Sequence, residues 1–190
     1  MSKKLYIPAI LIFFVSFVVF TALTNPPSDI TDGHQYVGVS KCAMCHKGDA
    51  KGKQYEIWHD SKHSQAYKNL QTPAADKIAQ DKGFSTPAAE TPQCVKCHVL
   101  GKDIDPSELT DSFDKTQGVQ CETCHGPGSD YKSLSIMKDL NQSVANGLIV
   151  HNEGAEFCKT CHNPDSPTFK SFDYDASWAL IKHTDPNITK

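Results

Sequence analysis

Residues 121–125 read Cys121-Glu122-Thr123-Cys124-His125, and the pattern Cys-x-x-Cys-His occurs four times in 190 residues. The copies are motif 1 (Cys42-Ala43-Met44-Cys45-His46), motif 2 (Cys94-Val95-Lys96-Cys97-His98), motif 3 (residues 121–125) and motif 4 (Cys158-Lys159-Thr160-Cys161-His162). This pattern is the attachment signature of a c-type haem. Its two thiols become thioethers, and its histidine becomes the proximal iron ligand. The sequence therefore predicts four covalently bound haem c groups.

The predicted residues divide by role. The covalent attachment residues are Cys42, Cys45, Cys94, Cys97, Cys121, Cys124, Cys158 and Cys161, and the proximal iron ligands are His46, His98, His125 and His162. Two structural zinc sites would also use eight cysteines, but zinc does not need a histidine after every second cysteine. A disulfide framework would close only four short loops and staple little of the chain together. Thioredoxin-like motifs usually occur once, between a strand and a helix, and that context is absent here.

The N-terminal segment is expected to target or anchor the protein. Lys3 and Lys4 precede a run of apolar residues from Leu5 to Leu23. Its length is marginal for a helix that spans roughly 30 Å of hydrocarbon, and no clear signal-peptidase site follows it. We expect residues 1–24 to be an uncleaved anchor, with a cleaved signal as the alternative. Either way the rest of the chain is exported: 25–34 as a linker and 35–190 as the haem domain.

The charged residues of the chain argue against nucleic acid as a partner. The formal net charge is −3, and all 19 basic residues are lysines. Without a basic stripe or any arginine, nucleic-acid binding is not expected. The expected partners are redox proteins and, through the N-terminal segment, a membrane.

Few segments alternate with the two-residue period of strands, and hydrophobic periodicity indicates several short helices. The predicted helices are Gly52–Leu70, Pro73–Lys82, Tyr131–Asn146 and Asp173–His183, and 85–93 is predicted to be a loop. These periodic residues are too few to build a core for a domain of this length. We therefore expect the four haems to form much of the core, and the chain without haem not to fold.

Several stretches resemble one family of multihaem cytochromes. Residues 36–42 lead into motif 1, Trp58-His59-Asp60-Ser61-Lys62-His63 follows it, and residues 118–128 read Gly-Val-Gln-Cys-Glu-Thr-Cys-His-Gly-Pro-Gly. Their order and spacing are similar to the tetrahaem cytochrome c-554 family of exported electron carriers. The resemblance implies a mostly α-helical, loop-rich fold in which the haems pack in close pairs. It also implies that the second haem, on His98, has no distal protein ligand.

The same resemblance implies two distal iron ligands. His63 matches a ligand position that would serve the third haem, opposite His125. His183 matches one that would serve the fourth, opposite His162. The remaining histidines are His34, His59 and His151, and an exposed role is the expected one for His59.

The first haem departs from the family pattern. The family's type member has a histidine shortly after the Cys-His-Gly-Pro-Gly phrase, whereas residues 129–138 contain none here. Met137 is the nearest residue able to ligate iron, and we predict that it is the sixth ligand of the haem on His46. A core methionine, spaced with Leu134 and Leu140, is the alternative.

The expected function is electron transfer between redox partners on the periplasmic side of the cytoplasmic membrane. We do not expect an enzyme. Two alternatives stay open: a redox enzyme that acts on nitric oxide, nitrite or hydroxylamine at an open haem, and a subunit of a larger redox complex or cytochrome filament.

Overall fold

The computed structural model describes residues 33–151 and 154–186 as short helices joined by loops. The α-helices of this part are α1 (Val39–Ala43), α2 (Gln54–His59), α3 (Ala66–Leu70), α4 (Pro73–Asp81), α5 (Pro92–His98), α6 (Cys121–His125), α7 (Leu134–Met137), α8 (Leu140–Ala145), α9 (Glu156–Lys159) and α10 (Tyr174–Ile181). Short 3₁₀ turns lie at Asp49–Lys51, Ala88–Glu90, Pro106–Glu108 and Lys115–Gln117. The predicted helical, loop-rich fold is confirmed.

The predicted N-terminal segment 1–24 and residues 25–32 of the predicted linker lie outside the described residues. Among the helices of 33–151 and 154–186, none combines the length and the apolar composition that crossing a membrane requires.

Two predicted helices form as expected because capping residues set their first turns. Thr72 accepts a hydrogen bond from the Ala75 N–H at 3.2 Å, and proline occupies the first position of α4. A proline loses nothing there, since the first N–H groups of a helix have no partner within the helix. Asp173 likewise accepts from the Ala176 N–H at 3.1 Å and begins α10.

The other two predicted helices are each broken in two. The stretch 52–70 forms α2 and α3 with a turn between them, because Ser61 and Ser64 donate hydroxyl hydrogen bonds to the carbonyls of Trp58 and His59, both at 2.7 Å. Serine hydroxyls compete with helix hydrogen bonds in this way. The stretch 131–146 forms α7 and α8, because Asp139 accepts from two backbone N–H groups and starts a new helix.

The principal apolar cluster lies where α3, α4 and α5 meet. Its buried members are Tyr36, Tyr67, Leu70, Ala79, Ala88, Val99 and Leu100. Backbone hydrogen bonds between Tyr36 and the 108–110 segment bring the N-terminal part of the described chain onto this cluster. The cluster is small, and Cys94 and Val95 of motif 2 pack against it.

Many large apolar side chains elsewhere are exposed. Met44 and Leu180 are 76% and 78% exposed, and Leu134, Leu140 and Val144 are each at least half exposed. Soluble proteins rarely leave such groups uncovered in patches. The distribution agrees with the expectation that bound haem completes the core.

Candidate haem-binding sites

In all four motifs the two cysteines lie on one helical turn. Motif 2 is contained in α5 and motif 3 in α6. Motif 1 begins in the last turn of α1, and motif 4 begins in the last turn of α9. In motifs 1 and 4 the histidine N–H donates to the carbonyl of the first cysteine, at 3.1 Å for His46 and 2.9 Å for His162. Residues three apart on a helix share a face. Each thiol pair can therefore attach to one side of a flat group, with the following histidine beside it.

Three motif histidines have their Nδ1 atom engaged. His98 Nδ1 lies 2.7 Å from the carbonyl oxygen of Ala66, and His125 Nδ1 lies 2.9 Å from that of Ile149. His46 Nδ1 pairs with Oε1 of Gln54. Because these acceptors require a proton on Nδ1, each ring is fixed in the tautomer that leaves Nε2 free to bind a metal.

Burial also favours the neutral form of two motif histidines. It lowers the pKa of His125 and of His162 below the usual histidine value. The same cause, together with the nearby His162, lowers the pKa of His63. Neutral imidazole is the form that binds metal.

Two predicted distal histidines lie opposite motif histidines. The ring centres of His63 and His162 are 6.0 Å apart, and those of His125 and His183 are 5.9 Å apart. Two imidazoles on opposite sides of one metal, each about 2 Å from it, have ring centres about 6 Å apart. The spacing of each pair fits two ligands of one iron. His151 lies at a similar distance from His125, but its Nε2 faces the Cys124 carbonyl oxygen. His183 instead donates from Nδ1 to the Ile181 carbonyl oxygen and keeps Nε2 free.

The structure arranges the two pairs differently from the pairing inferred by resemblance, with the two partners exchanged. His63 faces His162 of motif 4, and His183 faces His125 of motif 3. The His63 carbonyl accepts from the Val119 N–H at 2.9 Å, so its backbone lies against the start of motif 3 while its ring faces motif 4. Gly118, with a φ of +77°, permits this approach, since a Cβ there would collide with the His63 carbonyl oxygen.

The remaining candidates have other neighbours. Met137 is half-buried at the end of α7, and its sulfur lies 3.8 Å from Ser143 Oγ. The imidazole pairs among the described residues do not include His98. His59 is exposed and contacts Asp60, as expected. The ring centre of His151 lies 6.2 Å from that of His125, and the Nε2 atom of His151 lies 2.6 Å from the Cys124 carbonyl oxygen.

A buried glutamate that sequence reasoning missed joins motif 3 to motif 1. Glu122 is 1% exposed, and its carboxylate accepts from the N–H groups of Val37 (2.9 Å), Gly38 (2.6 Å) and Gly128 (2.7 Å). Burial raises the pKa of Glu122, and these N–H groups oppose that rise. Gln120 adds a hydrogen bond from the Val39 N–H at 2.7 Å. The hydrogen bonds of Glu122 to Val37, Gly38 and Gly128 form a clamp between motif 3 and the residues before motif 1.

Attachment cysteines of different motifs also lie close together. Cys42 and Cys121 share a hydrogen bond, which with burial raises the pKa of Cys42. Burial and the neighbouring Cys161 raise the pKa of Cys97 to about 11. Burial and the nearby Cys158 raise the pKa of Cys124 to about 12. Motif 1 therefore adjoins motif 3, motif 3 adjoins motif 4, and motif 4 adjoins motif 2.

Largely apolar cavities lie beside the motifs. One of about 420 Å³ is bordered by the residues that follow motifs 2 and 3 and by Phe157 and Thr160 at motif 4. Another, of about 250 Å³, adjoins His162 and is walled by Phe169 and Phe172. Paired thiols, histidines with a free Nε2 and apolar cavities beside them fit covalent haem.

Comparison with known proteins agrees with this geometry. Residues 41–126 match the family model described as cytochrome c554 and c-prime. The chain is also 34% identical over 122 residues to cytochrome c-554 of Nitrosomonas europaea, an alignment that covers 62% of this chain. It covers 48% of the relative, so the chain spans about half the length of the protein it matches. No solved structure matches the chain. The predicted resemblance is confirmed: residues 41–126, which include motifs 1 to 3, are similar to the cytochrome c554 and c-prime family.

Proposed function

We propose that the protein is an exported electron carrier that holds four haem c groups and passes electrons between redox protein partners. The single observation that carries this proposal is that all four motifs place both cysteines on a helical turn with the histidine beside them. The family match supports covalent haem at motifs 1 to 3. Motif 4 lies beyond the matched residues, and its contact with motifs 2 and 3 supports a fourth haem there.

The chain's residues hold and tune the cofactors. Haem c, when bound, supplies a reversible one-electron couple at its iron. The cysteines fix each group covalently, and the motif histidines present Nε2. His63 and His183 supply the second imidazole at motifs 4 and 3, in the exchanged pairing. The proximity of cysteines of different motifs, in the order 1, 3, 4, 2, supports transfer across one continuous series rather than isolated sites.

Location and partners belong to the same proposal. The family match supports export, since c-type haem is attached outside the cytoplasm in bacteria. Anchoring of the chain by residues 1–24, on the periplasmic side of the cytoplasmic membrane, is proposed from the sequence alone. The partners are redox proteins, and electron transfer requires no substrate site.

The proposal is tested on holoprotein produced with a haem-attachment system. Intact mass should equal the chain plus four haems, and a redox titration should show reversible one-electron steps. A mass with fewer haems would overturn the fourth site. Rapid mixing of the reduced protein with nitrite or nitric oxide separates a carrier, which does not turn over, from an enzyme.

Met137 is proposed as the sixth ligand at motif 1. Thioether ligation raises the reduction potential relative to a second imidazole. We expect the oxidised protein to have a sulfur-to-iron charge-transfer band that Met137→Ala abolishes. Met44→Ala is the matched control, because Met44 is 76% exposed within motif 1 and should leave the band unchanged. An unmutated protein without the band would contradict the assignment.

The haem at His98 is proposed to be five-coordinate. His98 has its Nδ1 bonded to Ala66 and takes part in none of the imidazole pairs of the described residues. We expect one high-spin ferric signal among four haems in electron paramagnetic resonance of the oxidised protein. A spectrum that is wholly low-spin would refute the open site.

A further inference from the structure

The proximal histidine of motif 1 has a different kind of hydrogen-bond acceptor from those of motifs 2 and 3. His98 and His125 have backbone carbonyls as Nδ1 partners. His46 has the side-chain carbonyl of Gln54. A backbone acceptor is present whatever the side chain, whereas Gln54 can be replaced. Of these three Nδ1 acceptors, only the acceptor of His46 can be altered by replacing a side chain.

Other contacts fix the position of Gln54 independently of its own side chain. Gln54 is the first residue of α2, and the next residue, Tyr55, donates its N–H to the His46 carbonyl at 3.0 Å. The Gly48 N–H donates to Glu56 at 3.1 Å, and the Lys47 ammonium lies 4.3 Å from the centre of the Tyr55 ring. The first turn of α2 is therefore held against the residues that follow motif 1.

The strength of the hydrogen-bond acceptor at Nδ1 affects how strongly Nε2 donates electrons to iron. When the Nδ1–H group donates to an acceptor, the ring becomes a stronger electron donor through Nε2. A stronger donor favours ferric over ferrous iron and lowers the reduction potential. The Gln54 amide is a neutral acceptor comparable to a backbone carbonyl. A carboxylate at the same place would be stronger, and a hydrocarbon would accept nothing.

We propose that Gln54 is a positioning residue for His46, which holds the imidazole in its ligating tautomer and sets the reduction potential at motif 1. The assignment rests on the proposed function, because it requires haem on Cys42 and Cys45. Gln54 lies outside the motifs, and nothing in the sequence pattern marks it. Its role follows from the contact with His46 Nδ1 alone.

The test is a redox titration of holoprotein variants, followed by optical absorption. Gln54→Glu should shift one of the four components to lower potential, and Gln54→Leu should shift the same component to higher potential. We expect roughly tenfold in the reduction equilibrium for each, which for a one-electron couple is about 59 mV. The other three components should stay in place.

Two further variants separate the contact from charge and from folding. Lys53→Gln changes the net charge by the same amount as Gln54→Glu, one residue away, and should move the component less. Gln54→Asn keeps the amide but shortens its reach by one methylene, and should shift the potential in the direction of Gln54→Leu. Because Gln54→Asn is a mild change, it tests the inference even where the leucine variant folds poorly.

The outcomes are distinguishable. If peptide masses after proteolysis show no haem on the peptide that contains Cys42 and Cys45, the proposed function fails at motif 1. If the haem is present and Gln54→Glu, Gln54→Leu and Gln54→Asn leave every potential unchanged, the role of Gln54 is overturned. A shift in Gln54→Glu that Lys53→Gln reproduces, without one in Gln54→Leu, also overturns it, since charge alone would then be the cause.

Discussion

Replacing Glu122 by alanine is expected to lower the free energy of unfolding of the holoprotein by about 3–5 kcal/mol. The carboxylate accepts from three backbone N–H groups and is 1% exposed. Its removal leaves those donors buried without an acceptor, and each such donor costs about 1–3 kcal/mol. The effect is large because a domain of this size has a total stability of about 5–15 kcal/mol.

A thermal melt of the holoprotein, followed by near-ultraviolet circular dichroism, measures the change. For a chain of this length, 1 kcal/mol corresponds to about 2–4 °C in Tm, so the expected decrease is about 10 °C. Glu122→Gln should have a smaller effect, because the amide keeps one accepting oxygen.

Glu156→Ala is the matched control. Glu156 also lies close to a haem-attachment motif, but its side chain is 88% exposed and forms a surface ion pair with Lys159. Exposed pairs of this kind contribute about 0–1 kcal/mol. Equal melts for Glu122→Ala and Glu156→Ala would refute the clamp.

The hydrogen bonds of Glu122 also show why contacts between distant motifs could not be predicted from the sequence. The motifs are local, and five consecutive residues are enough to identify each one. The donors that Glu122 binds at Val37 and Gly38 lie about 85 residues earlier in the chain. From the sequence alone, a glutamate between two cysteines is expected to be solvated, since only the folded chain brings those N–H groups to it.

Helix boundaries show the same limit at shorter range. Pro73 and the capping Thr72 made α4 predictable, because both signals are local. The break at Asp139 was also signalled locally, since aspartate is a preferred N-cap residue, but apolar periodicity across 131–146 concealed it. The turn between α2 and α3 depends on which carbonyls the Ser61 and Ser64 hydroxyls reach, and helical spacing of the aromatic residues does not reveal that.

Ligand pairing was the least predictable property of the site. A histidine's place in the chain indicates that it can ligate, but not which motif its ring faces. The backbone of His63 lies next to motif 3, whereas its ring faces motif 4. A resemblance to a family indicates which position in the chain holds a ligand. Which motif histidine that ligand faces depends on the direction of its side chain in the fold.

The exchanged pairing leads to a prediction about spin state. His63→Ala should convert the haem at motif 4 from low-spin to high-spin, and His183→Ala should convert the one at motif 3. Each replacement removes one of two imidazoles about 6 Å apart. Electron paramagnetic resonance of the oxidised holoprotein should then show one more high-spin haem than the unmutated protein, and added imidazole should reverse the change.

The variant chain without Cys158 and Cys161, both replaced by serine, distinguishes the two pairings. With no haem at motif 4, His63→Ala should add no high-spin signal, whereas His183→Ala still should. The pairing inferred by resemblance predicts the reverse. His59→Ala, four residues from His63 and with its side chain 59% exposed, should change no spin state in either background. A high-spin signal that appears with His63→Ala in the absence of the fourth haem would therefore assign His63 to motif 3 and contradict the geometry of the two histidine pairs.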